Sequence, residues 1–334
     1  MSEFLPRITV FATGGTIAGT ADVNTDLTGY TAAVLPVDDL IAQVPALAAI
    51  ARVRGEQVCQ IGSQDMTPDI WLALSARVNA ALSGGEADGC VITHGTDTIE
   101  ETAYFLHLTV HSSRPVVLVG AMRPATAISA DGPINLYSAV LLAVSPQSAG
   151  RGVMVCLNDA INGARDVAKT NTALADAFRS PELGYMGYIQ DGQPYIYNQS
   201  TRRHTVRSVF DTAGLTALPP VDIVYGYAGG STAALIDAAV AAGARGIVYA
   251  GPGNGSLSQA ACRALCRARE AGVAVVRSSR VGSGRIARGG EADDDALGFV
   301  AGDNLSPQKA RVLLMLGLTR TNDPLELQRM FDEY

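Results

Sequence analysis

Residues 91–106 read Val91-Ile92-Thr93-His94-Gly95-Thr96-Asp97-Thr98-Ile99-Glu100-Glu101-Thr102-Ala103-Tyr104-Phe105-Leu106. The apolar run Gly89-Cys90-Val91-Ile92 has the character of a buried strand, and it stops at a turn of small polar residues, Thr93 to Thr98. A helical pattern starts at Ile99, with Glu100 and Glu101 in the first turn, where the helix dipole favours negative charge. Thr96 and Asp97 are therefore expected at the carboxyl end of a buried strand, against a helix N-terminus. Open α/β sheets bind ligands at such places.

The same alternation of strand, polar turn and helix runs outward in both directions. Ile8–Ala12 is the first expected strand and ends in Thr13-Gly14-Gly15-Thr16-Ile17-Ala18-Gly19. Helices are expected over 35–49, 71–82 and 135–143, and strands over 115–119 and 153–157. After Tyr185 the pattern loosens into tyrosines, glycines, Pro194 and the basic Arg202-Arg203-His204, which reads as a hairpin and then a linker. Alternation resumes with strands over 221–225, 246–250 and 273–276 and helices over 233–242 and 258–271. The expectation is an α/β protein of two domains: a larger N-terminal parallel-sheet domain (1–197), a linker (198–219) and a smaller, Rossmann-like C-terminal α/β domain (220–334).

Composition excludes several classes. With 48% hydrophobic and 17% charged residues, the 334-residue chain has the balance of a compact protein with a large core. A formal charge of −7 argues against nucleic acid as a partner, which would ask for a basic face. No apolar run approaches the about 20 residues that span a bilayer. The N-terminal stretch Met1–Arg7 moves straight into a strand without a signal-peptide pattern, so the cytoplasm is expected, or the periplasm if a leader has been removed. Five cysteines, at 59, 90, 156, 262 and 266, sit in mostly apolar surroundings and read as core thiols.

Lysine usage is more informative. Of 25 basic residues only two are lysine, Lys169 and Lys309. Lys309 opens a helix and reads as a solvated cation. Lys169 follows a strand and a loop, and lysine can lose its proton where arginine cannot. The turn at 14–19 is not a dinucleotide fingerprint, because Asp38 precedes a helix where that fingerprint needs an acid ending a strand. Its glycines serve a turn or let backbone approach a ligand closely, presenting Thr16. His94 beside Thr96 leaves a triad open, but no Gly-x-Ser-x-Gly elbow occurs at a strand–helix junction. A threonine nucleophile with lysine or tyrosine as proton acceptor fits the polar turns better.

Together, Thr13-Gly14-Gly15-Thr16-Ile17-Ala18-Gly19 and Thr93-His94-Gly95-Thr96-Asp97-Thr98 resemble the two signature motifs of bacterial L-asparaginases, closest to the type II branch. Further matches run almost end to end: Gly62-Ser63-Gln64-Asp65, Gly120–Pro124, Ser129–Pro133, Arg165–Thr170, Val276–Arg280 and Asn304–Arg311. The resemblance implies that Thr16 attacks the side-chain amide, that Tyr30 belongs to a mobile lid over it, and that Thr96, Asp97 and Lys169 activate the nucleophile or the water. It implies Asp97 for the substrate ammonium and Ser63 for its carboxylate, with Gln64 alongside. Ser256 and Glu291 would reach a neighbouring subunit's site. No metal or organic cofactor is implied, and the usual assembly is a homotetramer of two intimate dimers.

Two features bear on selectivity. Asparagine-selective members carry the Gly62-Ser63-Gln64-Asp65 form, whereas glutaminase–asparaginases often have Glu where Gln64 stands. Ser256 occupies a position where many strict asparaginases have Asn, which would loosen that contact. The expected activity is L-asparagine amidohydrolase, with a dual glutaminase–asparaginase as the alternative. A two-lobed amino-acid binding protein is the alternative from another class; it would use Asp97, Ser63 and Glu291 but needs neither Thr16 nor Lys169.

Overall fold

The computed structural model describes residues 5–334; the first four residues of the N-terminal stretch lie outside the described residues. The chain divides into two compact units at Leu215/Thr216. The first unit holds strands β1 (Arg7–Gly14), β2 (Arg52–Ile61), β3 (Gly89–Thr93), β4 (Val116–Val119), β5 (Val153–Leu157), β6 (Ala160–Gly163), β7 (Ala168–Lys169), β8 (Phe178–Arg179), β9 (Gly187–Gln190) and β10 (Gln193–Ile196). Its helices are α1 (Val37–Ala42), α2 (Pro68–Ser83), α3 (Ile99–Thr109) and α4 (Gly132–Val144).

Eight strands form one sheet in the order β10-β9-β6-β5-β4-β3-β1-β2. From β5 to β2 the neighbours are parallel, while β6, β9 and β10 add an antiparallel extension. Helical crossovers cover a parallel sheet on its faces, so its inner strands are apolar throughout. Every residue of β3 and β4 is buried accordingly. After β1 the chain runs out to β2 and returns on the other side as β3, so β1 lies between them. That reversal creates a crevice at the carboxyl ends of β1 and β3. Both ends carry the polar turns singled out from the sequence.

Two local features depart from the sequence reading. The helix expected over 35–49 is α1 followed by a separate 3-10 turn, Pro45–Ala49. Pro45 lacks an N–H and pushes Val44 out of helical geometry (φ −125°, ψ 68°). β2 carries no clean alternation, because as an edge strand it buries none of its residues fully. The expected hairpin is β9–β10, which turns through Asp191 and Gly192 at φ 52° and 69°. Pro194 is tolerated because β10 is the sheet's edge.

The second unit has a parallel sheet ordered β11 (Val221–Tyr225), β12 (Gly246–Gly251), β13 (Ala274–Ser279) and β14 (Val300–Ala301). Helices α5 (Thr232–Ala241), α6 (Gln259–Glu270), α7 (Asp294–Leu297), α8 (Pro307–Gly317) and α9 (Pro324–Glu333) complete it. α8 packs on β11, β12 and β13 on one side and on α9 on another, which buries it nearly all round. Lys309 is therefore not the solvated cation expected at a helix start; it is only 2% exposed. Cys90 and Cys156 are buried in β3 and β5, and burial pushes both thiols up to about 12. Cys59, Cys262 and Cys266 are half-buried, and all five thiols are free. Among the described residues, no helix is long and apolar enough to cross a membrane.

Candidate active site

Two turns meet at the carboxyl ends of β1 and β3. Thr13 Oγ1 donates to the Thr93 carbonyl at 2.9 Å and ties the strand ends together. Gly14 and Gly15 have φ of +107° and +83°, a region L side chains avoid. A Cβ on Gly15 would stand 2.2 Å from Gly95 Cα, so the backbones of the two turns touch. Gly15 is required by that approach as well as by the turn, and a Cβ on Gly14 would stand 2.5 Å from the Ile61 carbonyl oxygen. No side chain fits there.

Thr16 begins the 3-10 turn Thr16–Ala18 and is 7% exposed. Its Oγ1 lies 2.6 Å from the Tyr30 hydroxyl, and either oxygen can donate. Tyr30 sits on a loop closed at its base by the paired Thr20 and Thr31. The loop tip is an Asx turn, where Asp26 Oδ1 accepts from the Thr28 and Gly29 amides at 3.0 and 2.6 Å. Those amides hold the Asp26 carboxyl below its ordinary range.

In the other turn, Lys169 Nζ donates to Thr96 Oγ1 at 2.9 Å and to Asp97 Oδ1 at 2.6 Å. Thr96 is buried, the Lys169 side chain is 17% exposed, and that of Asp97 is 64% exposed. Charge is thus graded from the interior to an open carboxylate. Ser63 joins this turn from the end of β2: its Oγ accepts the Asp97 amide at 3.2 Å, and its carbonyl accepts Thr98 Oγ1 at 2.8 Å. Gln64 next to it is exposed and donates to Asp65 at 3.3 Å. The first unit therefore brings together the turns bearing Thr16, Ser63 and Thr96, with Tyr30 and Lys169 attached to them. Ser256 and Glu291 belong to the second unit, the first half-buried and the second exposed.

Two supports were not legible as such. Glu100 Oε2 accepts the Lys169 amide at 2.7 Å, so this acid of the first turn of α3 positions the short strand β7. Sequence reveals only that an acid suits a helix N-terminus. Asp131 accepts the Met122 and Arg123 amides, each at 2.9 Å, and Asn135 Nδ2 at 3.1 Å. It thereby fixes the turn after β4, which accounts physically for the Gly120–Pro124 and Ser129–Pro133 matches.

His94 does not form a triad with Thr96. Its Nδ1 is 2.7 Å from the Gly95 carbonyl, and its Nε2 is 2.8 Å from Thr102 Oγ1, which receives Trp71 Nε1–H at 2.8 Å. The indole can only donate and the carbonyl can only accept, so the neutral ring carries its proton on Nδ1. Burial lowers the imidazole to about 4 from 6.5. Below pH 6.5 the unfolded chain takes up this proton while the native one does not, so stability falls with pH and levels out below 4. That shift corresponds to on the order of 3 kcal/mol. Urea unfolding of wild type and His94→Asn between pH 7 and 4 checks it: the variant's stability should fall less steeply. Equal slopes would deny His94 this role.

The two units match two family models: asparaginase, N-terminal, over residues 7–202, and glutaminase/asparaginase C-terminal domain, over 220–331. The chain is 52% identical over 331 residues to L-asparaginase 2 of Bacillus subtilis, covering 99% of this chain and 87% of that one. It is 46% identical over 331 residues to the glutaminase-asparaginase of Pseudomonas fluorescens, covering 99% and 91%. Among solved structures, a probable cytoplasmic L-asparaginase from Campylobacter jejuni superposes with a TM-score of 0.96 at 47% identity, covering 98% of this chain and 100% of that one. With motifs, sheet topology and near full-length similarity in agreement, this chain belongs to the asparaginase family, in its type II bacterial branch.

Proposed function

We propose that this protein hydrolyses L-asparagine to L-aspartate and ammonia through an acyl-enzyme on Thr16. The observation that carries the reading is a pair of hydroxyls on touching turns, Thr16 with Tyr30 at 2.6 Å and Thr96 with Lys169 at 2.9 Å. Thr16 Oγ adds to the amide carbon as its proton passes into the Tyr30, Thr96 and Lys169 hydrogen-bonding groups. The C–N bond breaks when the nitrogen takes a proton, and ammonia leaves an aspartyl ester on Thr16. Water adds to that ester, the Thr16 C–O bond breaks, and aspartate departs as Thr16 regains its proton. Backbone amides of the glycine-rich turn stabilise the oxyanion in both steps. The exposed Asp97 carboxylate receives the substrate ammonium, while Ser63 and Gln64 receive its carboxylate end. The Tyr30 loop closes over Thr16 and excludes water during acylation.

A dual glutaminase–asparaginase is the second reading, favoured by relatives of that name at 45–46% identity. Ammonia release from L-asparagine and L-glutamine, compared as kcat/KM, separates the two. No release from either amide would leave an amino-acid binding protein, for which Lys169 and the Thr16–Tyr30 pair have no use.

The reading takes residues 1–197 as the part carrying nucleophile and lid, and 220–334 as the part that completes a neighbour's site with Ser256 and Glu291. Assembly is a homotetramer of two intimate dimers. Thr16 and Glu291 of one active site then lie on different chains. Co-refolding Thr16→Ala with a disabling Glu291 variant should give hybrids with one doubly defective and one intact site. With random pairing across a two-fold interface, roughly a quarter of all sites are intact. Activity of the mixture above that of either variant refolded alone is the expected result. No recovery, with hybrids detected by native mass spectrometry, would place each site within one chain.

A further inference from the structure

Ser256 and Glu291 lie in two separate segments of the second unit, and one buried cation lies behind both. Arg277, on β13, is 0% exposed, and so is its partner Asp294 at the start of α7. Arg277 Nε and Nη2 donate to Asp294 Oδ1 and Oδ2 at 2.5 and 2.7 Å. Nη1 donates to the carbonyls of Asn254 and Gly255 at 3.1 and 3.3 Å, and Nη2 also to that of Ala287 at 3.0 Å. All five donors of the guanidinium are used.

The consequences differ for the two segments. In the turn 253–256 every carbonyl is taken by a side chain: Gly253 by Ser279, Asn254 and Gly255 by Arg277, and Ser256 by the Tyr249 hydroxyl at 3.2 Å. Glu291 lies in the segment 287–294, which is pinned on both sides of it. Asn254 Oδ1 accepts the Ala287 amide at 3.0 Å, and Asp294 Oδ2 accepts the Gly289 amide at 2.9 Å. Asn254 is thus held by Arg277 through its carbonyl and holds the second segment through its side chain.

A buried ion pair is weak evidence of added stability, because well-packed apolar residues of similar volume often serve as well. What apolar residues cannot do is hold three loop carbonyls and a carboxylate in fixed directions. Lysine cannot either, since its donors leave one point rather than a planar fork. We infer that Arg277 and Asn254 are positioning residues that set the distance between Ser256 and Glu291, and so govern substrate binding and not the chemistry at Thr16. The inference rests on the proposed binding roles of Ser256 and Glu291.

The test compares Asn254→Ala, Asn254→Asp, Arg277→Lys, Glu291→Ala and the double variant Arg277→Lys/Glu291→Ala in the full-length protein. KM and kcat for L-asparagine and the melting temperature are measured for each. Asn254 is exposed, so its variants should melt with the wild type. Asn254→Ala should raise KM about tenfold with kcat changed less than about threefold, and Asn254→Asp, which keeps the acceptor, should restore it. The double variant should raise KM by less than the product of the two single effects, because both changes act on the Glu291 contact. KM effects that multiply, or an unchanged KM in Asn254→Ala while Glu291→Ala raises it, would overturn the inference. An unchanged KM in Glu291→Ala would instead overturn the binding role on which it rests. Should Arg277→Lys fail to fold, the Asn254 pair decides alone: a KM rise rescued by Asp supports the clamp, and none refutes it.

Discussion

Thr16→Ala should fold, assemble and bind aspartate, yet lose kcat by about 10³-fold or more, which is about 4 kcal/mol of transition-state stabilisation. Folding should survive because the turn is held by its backbone: the Gly19 amide reaches the Thr16 carbonyl at 2.8 Å whatever the side chain. Loss of the Thr16–Tyr30 hydrogen bond should cost stability only about 1 kcal/mol. If Thr16 carries the acyl group as proposed, its loss removes the covalent route itself. Steady-state ammonia release, with aspartate binding by calorimetry and a thermal melt as controls, checks each part. Retention of a tenth or more of wild-type turnover would move the nucleophile to Thr96, whose hydroxyl is the one held by Lys169.

Why Thr16 and Thr96 were legible in the sequence, and Glu100 and Arg277 were not, follows from the range of the signal. A buried strand ending in small polar residues before an acid-started helix is a local pattern, complete within 89–106. The fold class needs only such units repeated, so β3, β4, α3 and three of the second unit's strands, β11, β12 and β13, are written locally, whereas the two-residue β14 is too short to show a pattern. β2 is not, because an edge strand with no fully buried position lacks the apolar alternation that marks strands. Neither are supports whose partners lie far along the chain. Glu100 meets the Lys169 amide across 69 residues, and Arg277 meets the Asn254 carbonyl across 23. Lys309 erred for a related reason: the first turn of a helix is usually wet, but α8 is packed on more than one side.

The Gly14-Gly15 pair marks the border between these cases. A turn explains positive φ at both, and sequence alone permits that explanation to stand. The overlap of a Gly15 Cβ with Gly95 adds a tertiary reason that only the β1–β3 neighbourhood supplies. The two motifs are distant in sequence and form one site because the chain reverses between adjacent strands. Motif spacing carries none of that information; strand order does.

The low lysine content makes the remaining prediction specific. In Lys169→Arg the positive charge stays, and the β7 backbone remains anchored by Glu100 at 2.7 Å, so folding should be preserved. Two things change. The guanidinium cannot give up a proton at accessible pH, and its fork does not reproduce an ammonium placed 2.9 Å from Thr96 Oγ1 and 2.6 Å from Asp97 Oδ1. If the Thr96–Lys169 pair passes a proton during catalysis, Lys169→Arg should be within about tenfold of Lys169→Met, both falling about 10³-fold in kcat. A purely electrostatic lysine predicts the reverse order, with arginine near wild type and methionine impaired. Asp97→Asn separates the charge from the proton: it removes the counter-ion yet leaves the amine beside Thr96. If Asp97 receives the substrate ammonium as proposed, the main effect of Asp97→Asn should fall on KM, while the lysine variants fall on kcat. An active arginine variant would reduce Lys169 to a support for Asp97 and leave Tyr30 as the group that takes the proton from Thr16.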